Sequence, residues 1–176
     1  MYKLRNWKAI LRGLLYGNTV WLGDIAFTSR LYAKVIYANG KTKNLGLISR
    51  RVVTTAGVRF LCDDFNAGGT EISNMKFHAM GTSNTAEAAA DTLLGAEVET
   101  RTSGSQASAT SGANATYTTV GTITATAPRA IVEHGIFSVI TTNTITLWDR
   151  SVFAVINLAI GDSIQFTYVL TANSGG

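Results

Sequence analysis

Apolar and polar residues alternate with a period of two through much of this chain, the repeat of a strand that buries one face. Leu31, Ala33, Val35 and Tyr37 alternate with Tyr32, Lys34 and Ile36, and Ile164, Phe166, Tyr168 and Leu170 alternate with Gln165, Thr167 and Thr171. Further apolar runs predict strands over 72–79, 117–127, 131–140, 145–148 and 152–158. Asn39-Gly40 sits between two such runs and predicts a hairpin with a type I′ turn, which needs positive φ at both central residues. Gly161-Asp162 predicts the turn into the last strand. Short strands punctuated this way imply a mainly β fold, an antiparallel β-sandwich or jelly-roll-like domain.

Two segments carry a helical pattern instead. In 4–16, Leu4, Trp7, Leu11 and Leu14 recur at spacings of three and four, with Arg5, Lys8 and Arg12 together on another face. This predicts an amphipathic helix, either an arm that docks on a partner or an element packed on its own domain. Residues 85–94 are Ala-rich, with Thr85 placed to cap and Gly95 placed to stop a short helix. Residues 63–71 and the Ser, Gly, Thr and Ala stretch 102–116 read as loops. The expected organisation is a basic N-terminal arm over 1–24 and a β-sandwich domain over 25–176.

Charge divides the chain unevenly. Residues 1–60 hold 11 Lys or Arg against one acid, Asp24, a balance of +10, while the remainder holds four basic residues against ten acids, a balance of −6. The two parts should therefore face different partners: by charge alone the basic part suits an acidic protein surface, nucleic acid, an anionic membrane or the acidic part of a neighbouring copy. Charged residues are only 15% of the chain, against about 25% in typical proteins, which suits an exterior covered by neighbours. The charges at Arg5, Lys8 and Arg12 cut the apolar N-terminal run far below membrane-spanning length, so no membrane is expected. The basic third has no continuous groove pattern, which argues against nucleic acid.

The candidate chemistry is thin. One Cys and two His cannot make a zinc site without carboxylates. Asp64, Asn66 and Gly69 match part of a calcium loop, but Gly68 and Met75 stand where ligands are needed, so the segment reads as a turn. Glu133 and His134 are neighbours in a strand and should face opposite ways, so they cannot act together on one atom. Whether His78 and His134 meet across strands is left open by the sequence; if they do, a buried, hydrogen-bonded pair fits better than a metal site or proton switch, and Asp149-Arg150 is expected to fix a turn or a subunit contact at a strand boundary. No residue is assigned a catalytic, cofactor-binding or metal-binding role. Partner binding is assigned to Leu4, Arg5, Trp7, Lys8, Leu11, Arg12 and Leu14.

The run from His78 to Thr92, His-Ala-Met-Gly-Thr-Ser-Asn-Thr-Ala-Glu-Ala-Ala-Ala-Asp-Thr, resembles a strand–turn–helix segment of small phage and prophage virion structural proteins. Further similar segments are 117–126, Glu133-His134-Gly135-Ile136-Phe137-Ser138, Trp148-Asp149-Arg150-Ser151-Val152-Phe153 and the stretch from Gly161 to Tyr168. The resemblance spans about residues 72–172. It implies a non-enzymatic bacteriophage particle protein located in the virion. The leading expectation is a capsid decoration, or cement, protein on the capsid surface, bound to the major capsid protein and to itself as a dimer or trimer, with no cofactor. A neck, tail or fibre component is the alternative. A carbohydrate-binding module fits poorly, because Trp7, Trp21 and Trp148 are scattered.

Overall fold

The computed structural model describes residues 20–22, 25–50, 52–57, 60, 74–111, 114–142 and 144–174. Among them, eleven strands form two antiparallel sheets packed against each other as a β-sandwich. The chain alternates between the layers. β1 (Val20–Leu22), β2 (Ile25–Ile36) and β3 (Thr42–Arg50) lie in the first sheet, and β4 (Val52–Val53), β5 (Phe77–Gly81) and β6 (Glu97–Ser103) in the second. It returns for β7 (Ser105–Ser111) and β8 (Asn114–Thr124), crosses again for β9 (Arg129–Phe137) and β10 (Leu147–Leu158), and ends in the first sheet with β11 (Ser163–Ser174). The first sheet runs β1-β2-β11-β8-β7, with β3 also on β2; the second runs β4-β10-β9-β5-β6.

The last strand is the spine of the core. β11 pairs with β2 on one side and β8 on the other, without a register break on either. Ile164, Phe166 and Tyr168 are fully buried, as the alternation predicts, and Leu170 is half-buried nearer the end. Leu31, Ala33 and Val35 of β2 lie on the same side, and Met80, Ile131, Phe153 and Ile156 meet them from the second sheet.

Several elements differ from the sequence expectation, each for a local reason. The hairpin at Asn39-Gly40 forms, but only Gly40 has positive φ (+81°). Gly40 N donates to Tyr37 O and Tyr37 N to Lys41 O, so the loop has three residues, with Gly40 in the left-handed position that closes a bulge. Asn39 keeps negative φ and its side chain accepts from Lys41 N. The strands expected at 145–148 and 152–158 are one long strand, β10, which begins only at Leu147 and whose middle is irregular against β9. The strand expected over 72–79 is β5 and begins only at Phe77. Among its described residues, segment 102–116 is mostly strand rather than loop, and 102–103 end β6. Its small residues form β7 and the start of β8, paired residue for residue from Ser105↔Val120 to Ser111↔Asn114. Residues 85–94 are not helical but turns, bends and irregular chain; the helical residues among those described are 55–57 and 60, with a 3-10 residue at 74. Of the arm expected over 1–24, residues 20–22 instead form β1, hydrogen-bonded to β2 in the first sheet, while residues 1–19 and 23–24, like the loop 63–71, lie outside the described residues.

If Phe166 anchors this core, Phe166→Ala should cost about 3–5 kcal/mol, measured by urea unfolding. A loss under about 1 kcal/mol would remove β11 as the spine.

Candidate functional site

The titratable side chains sort into inner and outer clusters. Inside the sandwich, His78 Nδ1 lies 3.0 Å from His134 Nε2, and His78 Nε2 lies 3.2 Å from Thr119 Oγ1. The two histidines, whose contact the sequence left open, therefore pair, fully buried, with the His134 ring 4.3 Å from that of Phe166. Two glycines make the room. A Cβ on Gly104 would fall 2.3 Å from Thr119 Oγ1, and one on Gly121 would fall 2.5 Å from His78 Cδ2. Beside them, the buried Asp149 carboxylate accepts from Ser29 Oγ at 2.8 Å and from the Tyr168 hydroxyl at 3.3 Å, while Trp148 Nε1 donates to that hydroxyl at 2.8 Å.

Asp149-Arg150 was expected at a strand boundary; it lies within β10 and is buried. Leu147 pairs with Phe137 and Asp149 with Ile136, which leaves Trp148 unopposed, a β-bulge. The extra residue lets Trp148 and Asp149 both reach Tyr168 and returns Arg150 to the outer face, where it meets Glu133. Glu133 and His134 do face opposite ways: His134 contacts the core, and Glu133 the loop over the outer face.

That outer cluster explains residues 85–94. Glu133 accepts from Ser83 N, Gly95 N and Ala96 N, so it grips both ends of the 83–96 loop. Arg150 donates to Glu133 through Nε at 3.0 Å and Nη2 at 2.8 Å, to Asp91 at 2.8 Å and to the Thr85 carbonyl at 3.1 Å. Asp91 also accepts from Ala88 N, and Thr55 N donates to the Ala89 carbonyl. These tertiary bonds take the polar groups that a helix would pair internally, and they outweigh alanine's helix propensity. Burial pulls the Arg150 pKa down, but hydrogen bonds to Asp91 and Glu133 and their charges more than offset it, so the pKa is raised. Arg150→Ala would strand the Glu133 carboxylate. The expected loss is about 3–5 kcal/mol, read by chemical denaturation, with proteolytic nicking inside 83–96 appearing first.

A third cluster sits at the edge of the second sheet. Glu99 has φ +62°, a left-handed backbone rare for a residue with a side chain, at a bulge where β6 places residues 99–101 against Ala79 alone. The kink brings Glu97 to Arg101, four residues on, at 2.7 Å. Arg101 is itself buried, with its guanidinium 3.4 Å from the centre of the Phe137 ring. Glu99 reaches the β8–β9 corner, accepting from Thr126 Oγ1 at 2.6 Å and Arg129 Nε at 2.8 Å. Burial raises the Glu99 pKa, but the hydrogen bonds from Thr126 and Arg129, with the Arg129 charge, outweigh it, and the net shift is downward from 4.5. A carboxylate with a depressed folded pKa stabilises fully above its unfolded value and loses that contribution as pH falls through the folded one. Stability measured from pH 6 down to about pH 3 should therefore fall less steeply in Glu99→Gln than in the parent. An unchanged slope would show that this contact carries no acid sensitivity.

The candidate binding surface lies on the opposite edge of the sandwich. The β2–β3 hairpin, residues 25–50, carries Arg30, Lys34, Lys41, Lys43 and Arg50 and no acidic residue. Register places Arg30 directly opposite Arg50, and both are exposed. Among the described residues, the ion pairs involve Arg101, Arg129 and Arg150, and neither of these two. Like charges opposed across strands destabilise a sheet, so the pair is better satisfied by an outside anion. Beside it, a groove of about 520 Å³ opens between β3 and the irregular part of β10. Its walls include Leu45, Leu47, Ile48, Val155 and Ile156, with Lys43 at the groove. Leu47 and Val155 are 42% and 55% exposed.

Leu4, Arg5, Trp7, Lys8, Leu11, Arg12 and Leu14, the sequence-assigned partner residues, fall outside the described residues. The sequence reading missed the Arg30–Arg50 opposition and the groove; only the excess of positive charge over 1–60 hinted at them. Among the described residues, no group of three or more His, Cys, Asp or Glu is placed to hold a metal ion, and no helix is long and apolar enough to cross a membrane. No protein-family model, curated protein or solved structure matches the chain.

Proposed function

We propose that this chain is a bacteriophage virion structural protein that decorates the capsid, setting its basic β2–β3 hairpin and the adjoining groove against an acidic surface of the major capsid protein. The opposed, exposed pair Arg30 and Arg50 carries the reading. An arrangement that repels itself in the free protein becomes favourable when a carboxylate surface approaches. Leu47 and Val155 supply apolar area for the same contact, and apolar burial contributes most of the affinity while charge sets approach and orientation. On sequence grounds the Leu4, Trp7, Leu11 and Leu14 stripe adds to that area. The phage assignment rests on the resemblance over about residues 72–172.

The reading includes no catalysis. Its support is that the buried acids, bases and histidines on both faces of the second sheet are committed to partners: His78 to His134 and Thr119, Asp149 to Ser29 and Tyr168, Glu133 to Arg150 and three backbone N–H groups. The concave surface on the β3 side is walled mainly by aliphatic side chains, and exposed apolar surface of this kind suits a protein contact.

The test is binding of purified protein to phage heads, read by co-sedimentation across a salt series. Arg30→Glu combined with Arg50→Glu should lower occupancy at least tenfold and flatten the salt dependence, while the unfolding midpoint stays near the parent's. Full occupancy by the double variant would sink the assignment of this face. A copy number on the scale of the shell subunits supports decoration, whereas one or two rings of copies would replace it with a neck or tail position.

A further inference from the structure

A β-sandwich must protect its edges, because an unpaired edge strand presents rows of N–H and C=O groups to any other strand. Three of the edges here carry such protection. β3 has two breaks in its pairing with β2, a left-handed Gly46 and the cations Lys43 and Arg50. β6 has the Glu99 kink and the Glu97–Arg101 ion pair. β4 is two residues long, and the β10 strand it flanks shifts register between Val152 and Ile156. Bulges, charges and shortness are the usual ways of blocking an edge.

β7 has none of them. It ends the first sheet, and among the described residues β8 is its sole paired neighbour. Its pairing with β8 is regular over all seven residues, and it contains no charge, no proline and no glycine. Ser105 through Thr110 are exposed. Its sequence, Ser-Gln-Ala-Ser-Ala-Thr-Ser, also reads almost the same in both directions. A two-fold axis at Ser108 would place Ser108 against its own copy, Ala107 against Ala109, Gln106 against Thr110 and Ser105 against Ser111. Antiparallel pairing of identical strands has that symmetry, and a two-fold interface must be self-complementary. Small residues in the Ala107–Ala109 rows let two edges approach without a clash.

We infer that β7 is the self-association edge of this protein, pairing antiparallel with β7 of a second copy so that two six-stranded sheets become one continuous sheet. The occupant is a second copy rather than an unrelated peptide because the near-palindrome serves only a partner that carries the same strand. The inference is independent of the surface that the basic hairpin binds, since it concerns the opposite edge of the first sheet.

Sedimentation of the isolated protein over a concentration series tests it. The parent should form a dimer. Ala107→Lys with Ala109→Lys would set lysines opposite lysines across the axis and should weaken self-association at least tenfold; Ala107→Glu with Ala109→Glu should do the same. An equimolar mixture of the two variants should recover the dimer, because opposite charges then face each other. A parent that stays monomeric, a lysine variant that dimerises like the parent, or a mixture that does not recover would each overturn the proposal. Should either variant fail to fold, hydrogen exchange of the parent decides. Amides of 105–111 must gain protection as concentration rises, and protection gained elsewhere instead would overturn it. Failure here leaves the head-binding experiment untouched, which reads the hairpin through Arg30 and Arg50.

Discussion

The Glu133 carboxylate, wholly removed from water, sets the terms for the second sheet. A buried carboxylate is costly unless every acceptor position is used. Here it accepts from Ser83 N, Gly95 N, Ala96 N and two nitrogens of Arg150. Those bonds pin a long loop over the outer face of the sheet, and the loop brings Leu94 onto Ala79, Phe137 and Leu147. Gly81 and Gly135 permit the closeness: a Cβ on Gly81 would lie 2.4 Å from Glu133 Oε1, and one on Gly135 would lie 2.9 Å from Leu94 Cδ2. At this end the second sheet is thus covered on its outer face, and Glu133 and Arg150 point into a satisfied network rather than into solvent, whereas Val155 toward the other end of β10 is exposed.

The inner face of the same sheet follows a related logic. The bulge at Trp148 lets Trp148 and Asp149 both point to Tyr168, so the aromatic end of the core and its one buried inner acid share a hydroxyl. A further acid, Asp162, does comparable work where the turns meet. Its side chain accepts from Ala38 N and Ala159 N, and its carbonyl from Ala125 N, which ties the β2–β3 hairpin to the turn before β11 and to the end of β8. With these acids spent internally, the exposed charge left on β2 and β3 is positive. The charge asymmetry along the sequence therefore becomes an asymmetry in space, with a basic hairpin on one edge and an uncharged strand, β7, on the other.

Much of the fold could be read in the residues themselves. Alternation over 31–37 and 164–170 identified two strands and their buried sides, because burial on one face imposes a period of two whatever the neighbours are. Asn39-Gly40 located a hairpin, and neighbouring positions in a strand placed Glu133 and His134 on opposite faces. The sequence could not reveal what depends on contacts between distant residues. Alanine's propensity argued for a helix at 85–94, but a glutamate 37–50 residues away claims the backbone N–H groups beside it. Composition argued for a loop at 102–116, but small residues make an ordered strand when β8 supplies the hydrogen bonds. The turn type at Gly40 was missed because Asn39 bonds its own neighbour, and Asp162 claims the Ala38 N–H.

The sequence by itself determined that the chain is a β-sandwich, which strands line its core, and that positive charge gathers over 1–60, since these follow from local periodicity and from counting. Only the tertiary structure decided that Arg30 faces Arg50, that a groove opens between β3 and β10, and that β7 ends a sheet with, among the described residues, no further strand paired to it. Those are consequences of register and strand order. Register and strand order are fixed by hydrogen bonds and packing between residues far apart in the chain, which no local pattern encodes.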